Sequence, residues 1–221
     1  PLRGETLRRA VRALGHADVG RRFVESYSVY SQGERQSLYA DSSGMEVRDH
    51  SDLINAVRSP VSGLNGLDQM LFVDVRVWLP NDLLLYTDKL SMAQSLEVRV
   101  PFLDLEFLKF VESVPATWKL RGLSRKYILK EAVRHLLPPG VADRKKKGFP
   151  TPMGRWLQSE LAGYARDLLL ASDSACGSMF DRKRLCWMID AHVRGRRNYE
   201  RQIFTLLVFE IWHQTFLGSP N

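Results

Sequence analysis

The chain has 221 residues, of which 44% are hydrophobic and 26% charged, as is typical of a folded globular protein. Its 32 Lys and Arg against 25 Asp and Glu give a formal net charge of +7, which favours a polyanionic partner: a nucleotide, pyrophosphate, nucleic acid or an acidic membrane surface. No apolar stretch reaches the roughly 18 residues that a membrane span requires, and Cys176 and Cys186 have no His at metal-ligand spacing.

These features exclude a membrane span, a disulfide framework and a zinc site, and a reducing, cytoplasmic setting is expected. The first residues, PLRGETLRRA, contain neither a starting Met nor an apolar leader. We therefore expect the chain to be an excised piece of a longer protein.

Apolar residues recur three and four apart in ETLRRAVRAL, in GLDQMLFVDVRVWL and in the C-terminal NYERQIFTLLVFEIWHQTF, which predicts helices. Strand-like alternation is nearly absent. Turn signals between these helices include Pro80-Asn81 and 138–140, and Asn81 and Ser124 are predicted N-caps. The sequence therefore predicts a mainly helical protein.

The segment LEVRVP, residues 96–101, breaks the helical pattern because its apolar and charged residues alternate. The closing proline disfavours helical geometry at the residue before it. Alternation sends Glu97 and Arg99 to one side, and we expect the other side, Leu96, Val98 and Val100, to face the core. On spacing alone, Glu97 and Arg99 are equally well interpreted as a surface ion pair.

Further along, SRKYILKEAVRHLLP predicts an amphipathic helix with a basic stripe formed by Lys126, Lys130 and Arg134. The run RKKKGFPTP, residues 144–152, follows it. Its glycine permits unusual backbone geometry and its prolines stiffen the loop, so it suits a fixed anion. Solvated cations are the competing interpretation of both features.

Signals of other chemistry are weak. The five histidines are scattered without pairing spacing, and neither a GxxxxGK[ST] loop nor a GxGxxG fingerprint occurs. The tryptophans lie mostly at apolar helical positions and are expected in the core rather than on a base-stacking platform; they are Trp78, Trp118, Trp156, Trp187 and Trp212.

Three motifs in order resemble the C-terminal half of the synthetase domain of glutamine-dependent asparagine synthetases. They are LPNDLLLYTDKLSMAQSLEVRVPFLD (79–104), KYILKEAVRHLLP (126–138) and RKKKGFPTPMGRWL (144–157). The resemblance implies a ligase of asparagine biosynthesis that activates a carboxylate with ATP as an acyl adenylate and releases pyrophosphate. Ammonia from glutamine then attacks to form the amide, and Mg²⁺ bridges the phosphates.

The resemblance also implies roles for individual residues. Lys146 would be catalytic and bind ATP by stabilising charge on the nucleotide phosphate, and Lys126 would hold pyrophosphate. Asp88, Glu97 and Arg99 would line the substrate cleft, although for Glu97 and Arg99 a purely structural buried pair fits equally well. No metal ligand is implied in this part of the family pattern.

The fold that the resemblance implies is an α/β PP-loop ATP pyrophosphatase domain, of the adenine-nucleotide α-hydrolase type, whose parallel sheet lies mostly upstream. We expect residues 1–221 to be its mainly α C-terminal portion, with a motif-bearing core at 67–157 and C-terminal helices at 158–217. An exposed apolar surface is expected where the sheet would pack, and self-association, as in a homodimer, would follow from it.

Several family features are absent from this sequence: the Ser-Gly-Gly-x-Asp-Ser phosphate loop, the Gly-Glu-Gly-x-Asp-Glu segment and the glutaminase with its first-residue Cys. We expect them upstream, and the chain alone to be inactive. Tyr86 replaces a common basic residue, and Lys130 replaces an Arg, losing bidentate geometry. Aspartate is the default substrate, and another small carboxylate is the alternative.

Two other hypotheses remain open. A basic helical nucleic-acid-binding module would account for the net charge, although Asp88, Glu97 and Asp104 lie among its cations. A degenerate synthetase-like domain retained for protein contacts would account for Tyr86 and Lys130.

Overall fold

The structure is a computed structural model that describes residues 9, 11–40, 50–144 and 151–218. The described part is mainly helical, which confirms the predicted predominance of helix. The α-helices, in chain order, are α1 (Val19–Tyr27), α2 (Gln32–Gln36), α3 (Ser51–Arg58), α4 (Gly66–Val73), α5 (Leu85–Met92), α6 (Leu105–Ser113), α7 (Ala116–Lys119), α8 (Tyr127–Val133), α9 (Met153–Trp156), α10 (Ala162–Leu170), α11 (Ala175–Met179), α12 (Arg182–Val193) and α13 (Glu200–Phe216).

Other regular elements are short, apart from a π-helix at Asp74–Leu84 that joins α4 to α5. Turns of 3₁₀-helix occupy Ser59–Val61, Pro101–Leu103 and Arg134–Leu136. An antiparallel hairpin pairs β1 (Leu120–Arg121) with β2 (Ser124–Arg125). Within the described ranges no helix has the length and apolar character needed to cross a membrane.

Contacts divide the chain into two compact units. Unit 1 comprises Pro1–Val24 and His50–Gly148, and unit 2 comprises Glu25–Asp49 and Phe149–Asn221. Subdivision of this kind also occurs within single domains, so the assignment of residues 1–221 to one synthetase-like domain stays a prediction.

Unit 1 starts two of its helices with side-chain caps. The Asn65 side chain accepts hydrogen bonds from the backbone N–H groups of Leu67 and Asp68, and the Asp104 carboxylate accepts one from Phe107. These bonds satisfy backbone N–H groups that have no partner within the first turn of a helix. The start of each of these two helices is therefore determined by the residues next to it in sequence.

The core cluster of unit 1 is small, consisting of Phe23, Ile54 and Val73 with partly buried residues around them. Many of its large apolar side chains are exposed instead, including Leu83, Leu85, Leu90, Met92, Phe102, Leu105, Phe110 and Leu136. Exposed apolar side chains are therefore present in this unit, whereas their burial against an upstream sheet stays a prediction.

The predicted turn at Pro80-Asn81 and the predicted N-cap role of Asn81 are wrong. The chain continues in helical conformation from α4 through the π-helix into α5, and the Asn81 amide donates to the carbonyl of Val77, 2.8 Å away. The predicted cap at Ser124 is also wrong, because Ser124 lies in β2 and Lys126 occupies the N-cap of α8. Both errors come from applying turn signals without tertiary context.

Unit 2 has a larger core, built mainly from α10, α12 and α13. On α12, Leu185, Met188, Ile189 and His192 are buried at helical spacing, and the first three belong to the core cluster. The fully buried Glu210 of α13 accepts backbone hydrogen bonds from Ala175 and Cys176 at the start of α11, at 3.1 and 2.7 Å.

The expectation that the tryptophans lie mostly in the core is wrong. Trp78 is half-buried beside the unit 1 core, whereas the remaining four are exposed. Two of these rings pack against neighbouring side chains at the surface. The Arg184 guanidinium lies 4.6 Å from the centre of the Trp187 ring, and the centres of the Tyr127 and Trp118 rings are 5.9 Å apart. A large ring on a helix surface keeps much of its area in water even when one face is covered.

Candidate functional site

The structure describes four of the five residues implied by the resemblance, and all four belong to unit 1. Asp88 lies on α5, Glu97 and Arg99 lie in the irregular segment that follows it, and Lys126 precedes α8. Lys146 lies outside the described residues, as do the Gly and Phe of its loop.

Glu97 and Arg99 form an ion pair with 2.8 Å between Oε1 and the guanidinium nitrogen. Their side chains are 68% and 84% exposed, respectively, so the interpretation as a buried structural pair is wrong. The pairing confirms that both residues point to one side, as alternation predicts.

The apolar side of the same segment does not face a core. Leu96, Val98 and Val100 are all exposed, and the expectation that they are buried is wrong. The alternation is correct, but the small core of unit 1 lies elsewhere, around Phe23 and Val73. Alternation of apolar and charged residues predicts which side chains point in the same direction. It does not predict whether other residues pack against them.

Lys126 has an unusual backbone conformation, with φ +56° and ψ 39° in the left-handed region. This conformation costs a non-glycine residue about 1 kcal/mol. Non-glycine residues in the left-handed region cluster at functional sites. Contacts around it account for the turn. The guanidinium of Arg121 donates to the Tyr127 hydroxyl at 2.7 Å and lies over the Tyr127 ring, fixing the hairpin against the start of α8.

The predicted basic stripe is modified by these contacts. Lys126 lies before the helix, and Arg134 donates to Glu131 at 2.8 Å and to Asp143 at 2.6 Å. The hydrogen bond from Arg134 holds the pKa of the Asp143 carboxyl below its ordinary value. Arg134 is thus occupied by carboxylates, whereas no ion pair involves Lys126 in the part of the chain that the structure describes.

Of the four described site residues, only Glu97 and Arg99 are in direct contact. Among residues 50–144, no hydrogen bond or ion pair joins the Asp88 or Lys126 side chain to that pair. Both side chains are exposed and accessible to a ligand. The described part of the site is therefore an open surface of unit 1 rather than an enclosed pocket.

A buried histidine that the sequence analysis did not single out holds the turn after the basic loop. His192 Nε2 donates to the Gly154 carbonyl at 3.1 Å, since Nδ1 accepts from the Tyr199 N–H at 3.1 Å. The Gln158 amide donates to the His192 carbonyl. This network fixes α9 within unit 2.

The Glu200 side chain lies beside α9 as well. A Cβ at Gly154 would lie 2.6 Å from the Glu200 carboxylate, so a larger residue there would require this flexible side chain to move. The helical spacing of buried residues on α12 was the available signal that His192 lies in the core rather than in a catalytic pair.

The described residues contain no group of three or more His, Cys, Asp or Glu side chains that could hold a metal ion. Magnesium prefers oxygen ligands in octahedral geometry and commonly binds through substrate phosphates with one or two carboxylates. The described side chains therefore do not by themselves fit a Mg²⁺ site.

Comparison with known proteins assigns the family. The asparagine synthase family model matches residues 2–214. "Asparagine synthetase (glutamine-hydrolysing) 1" of Bacillus subtilis (strain 168) is 31% identical over 164 residues, covering 74% of this chain and 26% of that protein. A protein of Mycobacterium tuberculosis (strain ATCC 25618 / H37Rv), provisionally named a glutamine-hydrolysing asparagine synthetase, is 34% identical over 169 residues, or 76% of this chain and 26% of its own.

A more distant relative is "Amidase chry2" of Gibberella zeae, which is 30% identical over 92 residues, covering 38% of this chain and 14% of that protein. No solved structure matches the chain. The chain belongs to the asparagine synthase family, a family of ligases. It spans about a quarter of the length of the curated synthetases that it matches.

Proposed function

We propose that the protein to which this chain belongs is an ATP-dependent, amide-forming ligase. It activates the side-chain carboxylate of aspartate as an acyl adenylate, with release of pyrophosphate. Ammonia derived from glutamine then displaces AMP and forms asparagine. The asparagine synthase match over residues 2–214 carries this proposal, because it includes every site residue that the motifs imply.

In this proposal Lys126 holds pyrophosphate and Lys146 stabilises negative charge on the nucleotide phosphate. Two observations support the role of Lys126. Its side chain is exposed and makes no ion pair with a described carboxylate, and its strained backbone is fixed by the neighbouring hairpin. An ammonium without a carboxylate partner remains available to an anion.

The distribution of charge supports the same assignment. All of the net positive charge of the sequence lies in the residues of unit 1, while acidic and basic residues nearly balance in unit 2. A positive surface raises the local concentration of anionic substrates such as ATP. Magnesium would act with the phosphates, and the described residues do not by themselves form its site.

The substrate is less closely defined than the reaction. Tyr86 on α5 is exposed, two residues before Asp88, at a position where a basic residue is common in the family. A phenol cannot pair with a carboxylate as a cation does, so a small carboxylate other than aspartate is the second candidate. The same proposal has four further parts. Glutamine is the nitrogen source, the protein is a cytoplasmic homodimer, and this chain alone is inactive.

The test is an assay of ATP-dependent amide formation by the full-length protein. Lys146→Ala should lower the rate by about a thousandfold without unfolding the protein. Lys126→Ala should weaken inhibition by pyrophosphate. Lys109→Ala, which removes an exposed lysine paired only with Glu106, is the matched control and should retain normal turnover.

Normal turnover in Lys146→Ala would refute the assignment of Lys146, and unchanged pyrophosphate inhibition would refute that of Lys126. If wild type forms no amide and instead binds nucleic acid with an affinity that falls steeply with salt, the nucleic-acid-binding hypothesis would replace the ligase.

A further inference from the structure

Residues 66–92 form one continuous helical rod with an unusual middle. Its ends are the α-helices α4 and α5, and the 11 residues Asp74–Leu84 between them are π-helical. The junctions are smooth, since Asp74 and Leu84 both have right-handed helical torsions. Because π-helix is rare and is mostly confined to single turns at functional sites, a segment of this length requires a cause and suggests a role.

Pro80 supplies a physical cause. In an α-helix its ring would collide with the carbonyl of Arg76, four residues earlier, and the proline lacks an N–H to donate. A wider turn, whose hydrogen bonds run five residues back, avoids that collision. The Asn81 amide adds a donor inside the turn through its 2.8 Å bond to the Val77 carbonyl.

The wider turn changes which side of α5 faces outward. An α-helix advances about 100° per residue, and a helix with roughly one more residue in each turn advances about 80°. Over 11 residues the difference accumulates to roughly 200°, about half a turn. In an uninterrupted α-helix, one side of α5 would line up with the side of α4 that faces the core. The π-helix rotates that side of α5 by about half a turn, away from the core side of α4.

Asp88 is the site residue affected. Val73, at the end of α4, is fully buried in the unit 1 core. In an uninterrupted α-helix Asp88 would lie about 60° around the axis from Val73, on the core side. With the π-helix between them the separation becomes about 140°. Asp88 is exposed, as are most residues of α5, so the change of register rests on the π-helix itself rather than on that exposure.

We propose that the π-helix Asp74–Leu84, maintained by Pro80, is a positioning element that presents Asp88 on the substrate surface of unit 1. Asp88 is the group that faces the ligand, and Pro80 acts through it. The inference rests on the proposed function, because the position of Asp88 affects turnover only if unit 1 contributes to the ligase site.

The variant Pro80→Ala removes the ring and restores an N–H donor. We expect its hydrogen bonds near residue 80 to shift from five residues back to four, and Asp88 to lose exposure, both visible in crystal structures of variant and wild type. Alanine also favours helix, so the melting temperature should rise by a few degrees. Turnover in ATP-dependent amide formation by the full-length protein should nevertheless fall at least tenfold.

Two further variants define the interpretation. Asp82→Ala alters an exposed residue of the same π-helix whose side chain makes no hydrogen bond in the described structure, and it should change neither register nor turnover. Asn81→Ala removes the bond to Val77. It should shift the helical register and lower turnover, as Pro80→Ala does, but to a smaller extent. A purely structural role for Pro80 would change melting temperature and turnover in the same direction, not in opposite directions.

The outcomes separate this inference from the proposed function. A retained π-helix in Pro80→Ala would overturn the role of Pro80. A shifted register with turnover within twofold of wild type would overturn the positioning of Asp88. If the wild-type full-length protein forms no amide, the proposed function and the role of Asp88 both fail, whereas the register measurement still decides whether Pro80 maintains the π-helix.

Discussion

Unit 2 buries a core of 14 residues contributed mainly by three long helices, whereas the core cluster of unit 1 contains three. The two units also differ in charge, since the excess of Lys and Arg lies in unit 1. Unit 1 contains the described site residues, and unit 2 contains two separate sets of buried hydrogen bonds, one around His192 and one around Glu210. Structural order and candidate chemistry are thus concentrated in different parts of the chain.

The difference in core size indicates how strongly the stability of each unit depends on contacts with other molecules or segments. Contiguous apolar surface on a folded protein marks an interaction site more often than a solvated face. In unit 1 large apolar side chains are exposed on α5, on α6 and in the segment between them, close in sequence to Asp88, Glu97 and Arg99, and in unit 2 others are exposed on α13. We therefore expect unit 2 to show the larger local stability and unit 1 to respond more strongly to binding partners.

The largest expected contrast comes from one substitution made in both units. Leu185 in unit 2 is fully buried, and Leu90 in unit 1 is 53% exposed. Leu185→Ala should lower the free energy of unfolding by about 3 kcal/mol, because it leaves a cavity, and Leu90→Ala by about 0.5 kcal/mol or less. Hydrogen exchange resolved by residue would assign each loss to its unit. Equal losses would refute the contrast between the cores.

A smaller loss is expected from Glu210→Gln. Both carboxylate oxygens of Glu210 accept backbone hydrogen bonds, from Ala175 and Cys176. A glutamine presents an NH₂ group to one of these donors, so one buried N–H loses its partner at a cost of about 2 kcal/mol. Urea unfolding monitored by tryptophan fluorescence would measure this. The matched control is Glu160→Gln at an exposed position, where the carboxylate accepts from the neighbouring Ser159 hydroxyl and a much smaller change is expected.

Much of the fold follows from local patterns. Helical spacing predicts α4 and α13, and the alternation in LEVRVP places Glu97 and Arg99 together, as observed. The π-helix could not be predicted in this way, because a Pro-Asn pair ordinarily indicates a turn, and the packing of Val77 against the unit 1 core cannot be read from local sequence.

Less of the site could be predicted. The motifs identify Asp88, Glu97, Arg99 and Lys126, but burial depends on which surfaces meet, and the exposure of Leu96 and Val98 does not follow from their alternation. The spacing of the five histidines predicts no role for His192. Its role depends on Gly154 and Tyr199, and the bond to Gly154 is distant in sequence.

An effect that depends on pH is expected from Asp68. Burial alone would raise the pKa of its carboxyl, but hydrogen bonds from Lys119 and Asn65 outweigh it and hold the pKa below the ordinary value. The folded state therefore gains stability above the unfolded pKa of about 3.9 and loses it as the pH falls through the folded pKa. Asp68→Asn should cost about 1 kcal/mol at pH 7.

The difference between Asp68→Asn and wild type should shrink as the pH falls below about 4, as measured by urea unfolding across that range. Glu106→Gln disrupts an ion pair of the same 2.8 Å length, but its partners are exposed, whereas Asp68 and Lys119 are 18% and 13% exposed. The control should show little effect at any pH. A pH-independent loss in Asp68→Asn would exclude the ionised carboxylate as its cause.

The smallest effect on stability is expected at the ion pair of the candidate site. Because Glu97 and Arg99 are both exposed, Arg99→Ala should change the free energy of unfolding by less than about 0.5 kcal/mol, as measured by urea unfolding. Lowered amide formation in this variant would therefore reflect contact with substrate rather than a damaged fold. Arg99→Lys retains the charge but not the planar fork, so it should recover activity only if charge alone is required. Full activity of Arg99→Ala would remove this pair from the site.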